Sequence, residues 1–189
     1  MAAIQDRPAE TPEEAHAVVD FWRKAGPKKW FAKDAIFDAQ FRERFASLYE
    51  QAARGEFASW RTTPEGALAE IILLDQYPRN SFRGAPQMFA TDALAREAAL
   101  AAIAAGHDRH LDKAMRTFIY LPLGHSEDLA DQERSLALTR ELGGQDRRSA
   151  KQHHDIIARF GRFPHRNAIL GRATTQEEAE YLRTGGFKG

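Results

Sequence analysis

The chain has 189 residues, 43% hydrophobic and 29% charged, with 27 basic and 27 acidic side chains that cancel to a net charge of zero. That composition belongs to a globular protein large enough to bury a core without metal or disulfide staples, and the charge balance argues against a dedicated nucleic-acid binder. There is no cysteine, which excludes disulfides, thiolate catalysis and Cys-zinc sites.

Residues 1–10 read as a flexible tail, and 11–189 as one helical domain. Met1 to Glu14 carries Asp6, Arg7, Glu10, Glu13 and Glu14 and no apolar run, so no signal peptide is expected. The richest apolar run, Ala98 to Ala105, is too short for a membrane span. A cytoplasmic setting without membrane partners follows as the default.

Thr11-Pro12-Glu13-Glu14 predicts a capped helix start, followed by Ala15, Val18, Val19 and Trp22 at helical spacing and a stop at Gly26-Pro27. The spacing predicts a second helix over Asp34–Ala53, with Phe37, Phe41, Phe45 and Leu48 on its core face. Trp60 falls in the next connection and reads as a plug between helices. Thr63-Pro64-Glu65 opens a third helix with Leu68, Ile71 and Ile72 buried. Asp75 continues that stripe at i+7 from Leu68, and Pro78 is expected to break the helix.

Thr91-Asp92 should cap a fourth helix that runs to Gly106. After the polar turn His107–His110, Asp112 should cap a fifth, stopped by Pro122. Ser126-Glu127-Asp128 opens a sixth, reaching Leu142, and a seventh covers Arg147–Phe160. The last runs over Thr174–Thr184, where Thr174/Glu177 and Thr175/Glu178 compete as capping boxes. No alternation is long enough for a strand. The pattern predicts an all-α fold: an irregular array of antiparallel helical hairpins, about eight helices.

Standard catalytic signatures are missing. Two aromatic–Pro–Arg–Asn breaks stand out instead: Tyr77-Pro78-Arg79-Asn80, continuing to Arg83, and Phe163-Pro164-His165-Arg166-Asn167 after Arg162. Asp75 on a buried face requires a partner, which Arg79 or Arg83 could supply. If the breaks meet, Asp75, Arg79, Asn80, Arg83, Arg162, Arg166 and Asn167 would line a pocket for an anionic small ligand or an acidic peptide. An enzymatic alternative makes His125 or His165 the general acid/base and Asp75 or Glu127 its orienter, on a phosphorylated or acyl substrate. A third reading takes every motif as a helix stop in a protein-interaction scaffold. A metal site from His125, Glu127, His153 and His165 is conceivable, but nothing in the spacing fixes one, so no metal or cofactor is expected.

Several of these blocks carry a resemblance. Leu73-Leu74-Asp75-Gln76-Tyr77-Pro78-Arg79-Asn80 with Phe82-Arg83-Gly84 and Phe89-Ala90-Thr91-Asp92 is similar to the signature of a bacterial family labelled domain of unknown function 924. So are Phe118-Ile119-Tyr120-Leu121-Pro122-Leu123 with His125-Ser126-Glu127, and Arg162 to Asn167 with Leu170-Gly171-Arg172. The resemblance implies a helical, tetratricopeptide-like architecture and no established activity.

Overall fold

The computed structural model describes residues 10–189, so most of the proposed N-terminal tail lies outside the described residues. Among these the chain is all helical, with no strand. The α-helical segments are α1 (Glu13–Ala25), α2 (Pro27–Trp30), α3 (Ala35–Ala53), α4 (Pro64–Ile71), α5 (Tyr77–Ser81), α6 (Asp92–Ala104), α7 (Lys113–His125), α8 (Leu129–Leu138), α9 (Gly144–Phe160) and α10 (Gln176–Arg183). No helix among them is long and apolar enough to cross a membrane.

Local chemistry explains the starts of five of the helices. Asp34 caps α3 by accepting from the Ile36 and Phe37 amides, and Thr63 caps α4 by accepting from Gly66. Asp112 and Asp128 do the same for α7 and α8. At α10 the competition is won by Thr175, which forms the full capping box with Glu178.

Two expected caps serve elsewhere. The Thr11 hydroxyl donates to Thr63 Oγ1 at 2.8 Å, while Pro12 takes the N-cap position of α1. Thr91 makes no cap bond to α6 and donates instead to the Leu74 carbonyl at 2.5 Å.

Neither expected proline stop ends its helix. A π-turn over Ile72–Gln76 joins α4 to α5, so the helix continues through Pro78 to Ser81. Tyr77 N–H reaches back five residues to the Ile72 carbonyl. Pro78 has no N–H for the carbonyl four residues back, Leu74, and the Thr91 hydroxyl supplies the missing donor. Pro122 likewise sits inside α7, which ends at His125.

The α4–π–α5 helix is the centre of the molecule. Every residue from Gly66 to Pro78 is buried, as a helix packed on all sides requires. It contacts α1, α3, α6 and α7, and α6, α7, α8 and α9 pack in succession. Trp22, Trp30, Phe37, Phe41 and Phe118 form an aromatic cluster at one side of this core. Trp60 is buried and stacked on Phe57, as a plug should be. Ile156, Ile157 and Phe163 form a smaller second core against Phe160, Tyr181 and Phe187.

Candidate functional site

The π-turn decides where the polar groups of the central helix point. An extra residue in one turn shifts the register of everything beyond it, and such turns are frequent at functional sites. Here Asp75 and Gln76 lie within the π-turn and Arg79 on the turn that follows.

Asp75 is 1% exposed and fully engaged. Its Oδ1 lies 2.8 Å from His125 Nδ1 and 3.0 Å from Arg79 Nη1, and Oδ2 accepts from Gln76 Nε2 at 2.6 Å. Burial alone would raise its pKa. The positive charge of Arg79 and the hydrogen bonds from His125 and Gln76 outweigh that and hold the carboxyl below the usual carboxylate range. The His125 imidazole is shifted down, first by burial and then by the nearby Arg79 charge, against the pull of Asp75. A neutral ring with Nδ1–H donated to Asp75 leaves Nε2 as an acceptor. No protein group among the described residues bonds that nitrogen.

Arg79 Nη1 also donates to the Asp75 carbonyl at 2.8 Å and lies 2.8 Å from Asp92 Oδ1. Asp92, the first residue of α6, faces a second guanidinium with its other oxygen: Arg166 Nη1 is 3.3 Å from Oδ2. Arg166 comes from the second Pro-Arg-Asn break, where Pro164–Arg166 forms a 3₁₀ turn. Its Nη2 donates to the His125 carbonyl at 2.8 Å, and its plane lies between Phe89 and Phe163, 4.6 Å from each ring centre. Burial pulls its pKa down to about 10, which leaves it a cation at neutral pH.

The network Gln76–Asp75–His125–Arg79–Asp92–Arg166 therefore joins both breaks. Two donors in it stay unspent: Arg79 Nη2 and Arg166 Nε are buried without a partner among the described residues. An unsatisfied buried donor costs on the order of 1–3 kcal/mol.

Arg79, His125 and Arg166 lie on the wall of a cavity of about 440 Å³, lined by residues of α5, α7, α8, α9 and the segment from Phe163 to Arg166. The rest of its lining is largely apolar, including Trp30, Phe31, Met88, Phe89, Leu121 and Phe163. His153 and His165 also line it. Burial lowers the His153 pKa to about 3 and that of His165 to about 4, so both rings are neutral at pH 7. The His153 Nδ1–H faces the Gly124 carbonyl at 3.1 Å. Phe187 packs on both rings, with centroids 4.9 and 5.1 Å away.

The remaining predicted residues divide into two groups. Asn80 and Arg83 reach the cavity rim, yet both are tied to Asp38, by Asn80 Nδ2 at 2.7 Å and Arg83 Nε at 2.6 Å. Arg162, Asn167 and Glu127 are turned away from it. Arg162 makes a two-point ion pair with Glu178 at 2.6 and 2.8 Å, and Asn167 donates to the same carboxylate at 3.2 Å. Glu127 is held by Arg172 at 2.7 and 3.0 Å and accepts from the Phe163 amide. These three brace the turn that carries Arg166. Beside Gln76, two further site residues that sequence reasoning missed are Asp92 and Phe89. Both lie in the Phe89-Ala90-Thr91-Asp92 block, but the Thr-Asp pair reads as a helix cap.

The fold and site define a helical protein with a mostly apolar cavity that carries a buried Asp–His–Arg network at one wall. A family model described as bacterial protein of unknown function (DUF924) matches residues 18–186, and the chain belongs to that family. A solved structure titled protein of unknown function ATU0120, from Agrobacterium tumefaciens, is 51% identical. It superposes with a TM-score of 0.91, covering 93% of this chain and 100% of that one. No curated protein matches the chain.

Proposed function

We propose that the protein binds a small amphipathic anion, with its carboxylate on Arg79 and Arg166 and its apolar body in the cavity. One observation carries this reading: the arginines of the two breaks meet at one carboxylate, Asp92, on the wall of a 440 Å³ cavity, each with a donor to spare. That volume lies within the ordinary range for small-ligand sites, roughly 300–1,000 Å³.

The charges around the two guanidiniums are already balanced by Asp75 and Asp92. The attraction is therefore directed hydrogen bonding rather than surplus charge. An ionised acceptor makes such bonds roughly twice as strong as a neutral one, which favours a carboxylate over an alcohol. A cytoplasmic setting and tetratricopeptide-like stacking of the helices belong to the same proposal.

Titration calorimetry with octanoate and octanol tests it. Octanoate is expected to bind at least about tenfold more tightly, and Arg166→Gln to remove that preference. Because the donors are buried, affinity should change little with added salt. Equal affinity for acid and alcohol, or no heat with octanoate, would refute the reading.

A further inference from the structure

The Asp75–His125 pair contributes no free donor to anion binding, yet it sits on the same cavity wall. His125 Nδ1 is held by Asp75 Oδ1 at 2.8 Å, and Arg166 Nη2 donates to the His125 backbone carbonyl at 2.8 Å. Nε2 is left without a protein partner among the described residues. His153 and His165 also leave a ring nitrogen unbonded among the described residues, but of the three only His125 is hydrogen-bonded to a carboxylate. A carboxylate that fixes the Nδ1–H tautomer while Nε2 stays free is the arrangement of a general base with its orienter.

The guanidinium groups of Arg79 and Arg166, on the same cavity wall, supply the positive charge that acyl chemistry also requires. An oxygen acquiring negative charge at the acyl carbon needs preorganised donors in a site shielded from bulk water. The apolar lining suits an apolar acyl chain.

We propose that the cavity is a hydrolytic site for carboxylic esters of apolar acids, with His125 as general base and Asp75 as its positioning residue. This inference rests on the binding proposal, since the carboxylate bound there is the product of the reaction. Water attacks the acyl carbon and forms the new C–O bond as its proton passes to His125 Nε2. The carbonyl electron pair moves onto oxygen, facing Arg79 and Arg166. Collapse restores the carbonyl and breaks the bond to the leaving alkoxide, which takes the proton from Nε2. Ester and water thus give acid and alcohol, and His125 returns to its neutral form. Burial shifts the His125 pKa down, which keeps Nε2 unprotonated at neutral pH.

The test pairs hydrolysis of 4-nitrophenyl octanoate with octanoate binding by calorimetry, on the same samples. His125→Gln should lower kcat by about 100-fold or more and leave octanoate affinity within about threefold. Asp75→Asn should lower kcat and move the acid limb of the pH–rate profile to lower pH, because the carboxylate that favours the protonated ring is gone. A merely structural role would leave that limb in place. If Asp75→Asn does not fold, His125→Gln decides alone, checked by its melting temperature.

Octanoate binding without hydrolysis above buffer, or hydrolysis unchanged in His125→Gln, would overturn the catalytic inference and leave the binding proposal standing. Hydrolysis lost in His125→Gln, with no detectable octanoate binding, would overturn the binding proposal instead.

Discussion

Three histidines share one cavity, and their environments separate their roles. His125 faces a carboxylate, whereas His153 and His165 pack against Phe187 and are held neutral mainly by burial, with pKa values of about 3 and 4. In the unfolded chain both return to about 6.5. Between the folded and unfolded values the unfolded state binds the proton and the folded state does not, so stability rises with pH across that window. Acidification from pH 6.5 to 4 should therefore destabilise the fold. His153 alone accounts for a loss on the order of 3 kcal/mol. Denaturant unfolding at pH 7 and pH 4 measures it, and His153→Gln, whose amide can still donate to the Gly124 carbonyl, should flatten the dependence. An identical pH dependence in both proteins would show that His153 is not the group responsible. Asp75 acts in the same sense at lower pH: its contribution is complete above about 3.9 and is lost only as pH falls through its depressed folded value. At this scale the sequence was partly readable. A carboxylate at i+7 on an apolar stripe announces a buried acid, and Arg79 is one turn away. His125 could be offered only as one of two histidines for Asp75 or Glu127 to orient, because it lies 50 residues from Asp75, and nothing local ties Arg166 to His125, 41 residues before it.

At the scale of the element, the helices were legible because apolar residues recur at helical spacing and Asp34, Thr63, Asp112, Asp128 and Thr175 cap as their side chains allow. The proline stops were misread for a tertiary reason. A proline ends a helix when the carbonyl four residues back is left without a donor, and at Pro78 that carbonyl, Leu74, is served by Thr91 from outside the helix. Sequence shows Thr91 only as a cap for the helix it precedes. Arg162 was misassigned to the cavity in the same way, since its partner Glu178 lies on α10. Thr91 is therefore a clasp between the central helix and α6. Thr91→Val keeps the shape and removes the donor, leaving a buried carbonyl unpaired, and should cost about 1–3 kcal/mol in denaturant unfolding. Thr91→Ser should recover most of that. A valine variant as stable as the parent would mean that the continuity of the helix past Pro78 does not depend on the clasp.

Across the whole molecule, residues 185–189 add one wall to the cavity that the central helices build. Gly185 has φ of +94°, which turns the backbone at the end of α10. Gly186 N–H then donates to the Tyr181 carbonyl at 2.9 Å, and Phe187 N–H donates to Tyr181 Oη at 3.0 Å. Phe187 reaches the cavity wall, and the Gly189 backbone lies against the His165 ring, where an added Cβ would stand 3.0 Å from Cδ2. No side chain fits at Gly186: a Cβ there would fall 2.5 Å from the Tyr181 carbonyl oxygen and 2.6 Å from its ring. Backbone cannot yield as a flexible side-chain tip does, so Gly186→Ala must move the segment that carries Phe187. The core of α4 to α7 is untouched by that change, because Ile156, Ile157 and Phe163 form a separate cluster with Tyr181 and Phe187. The expected outcome is a small loss of global stability together with faster exchange of octanoate. The dissociation rate in stopped flow should rise more than the melting temperature falls, since opening a local segment draws on far less free energy than global unfolding. Phe187→Ala should act in the same direction without straining the backbone. Unchanged octanoate kinetics in both variants would mean that ligands enter elsewhere, by the rim where Phe31 and Met88 stand.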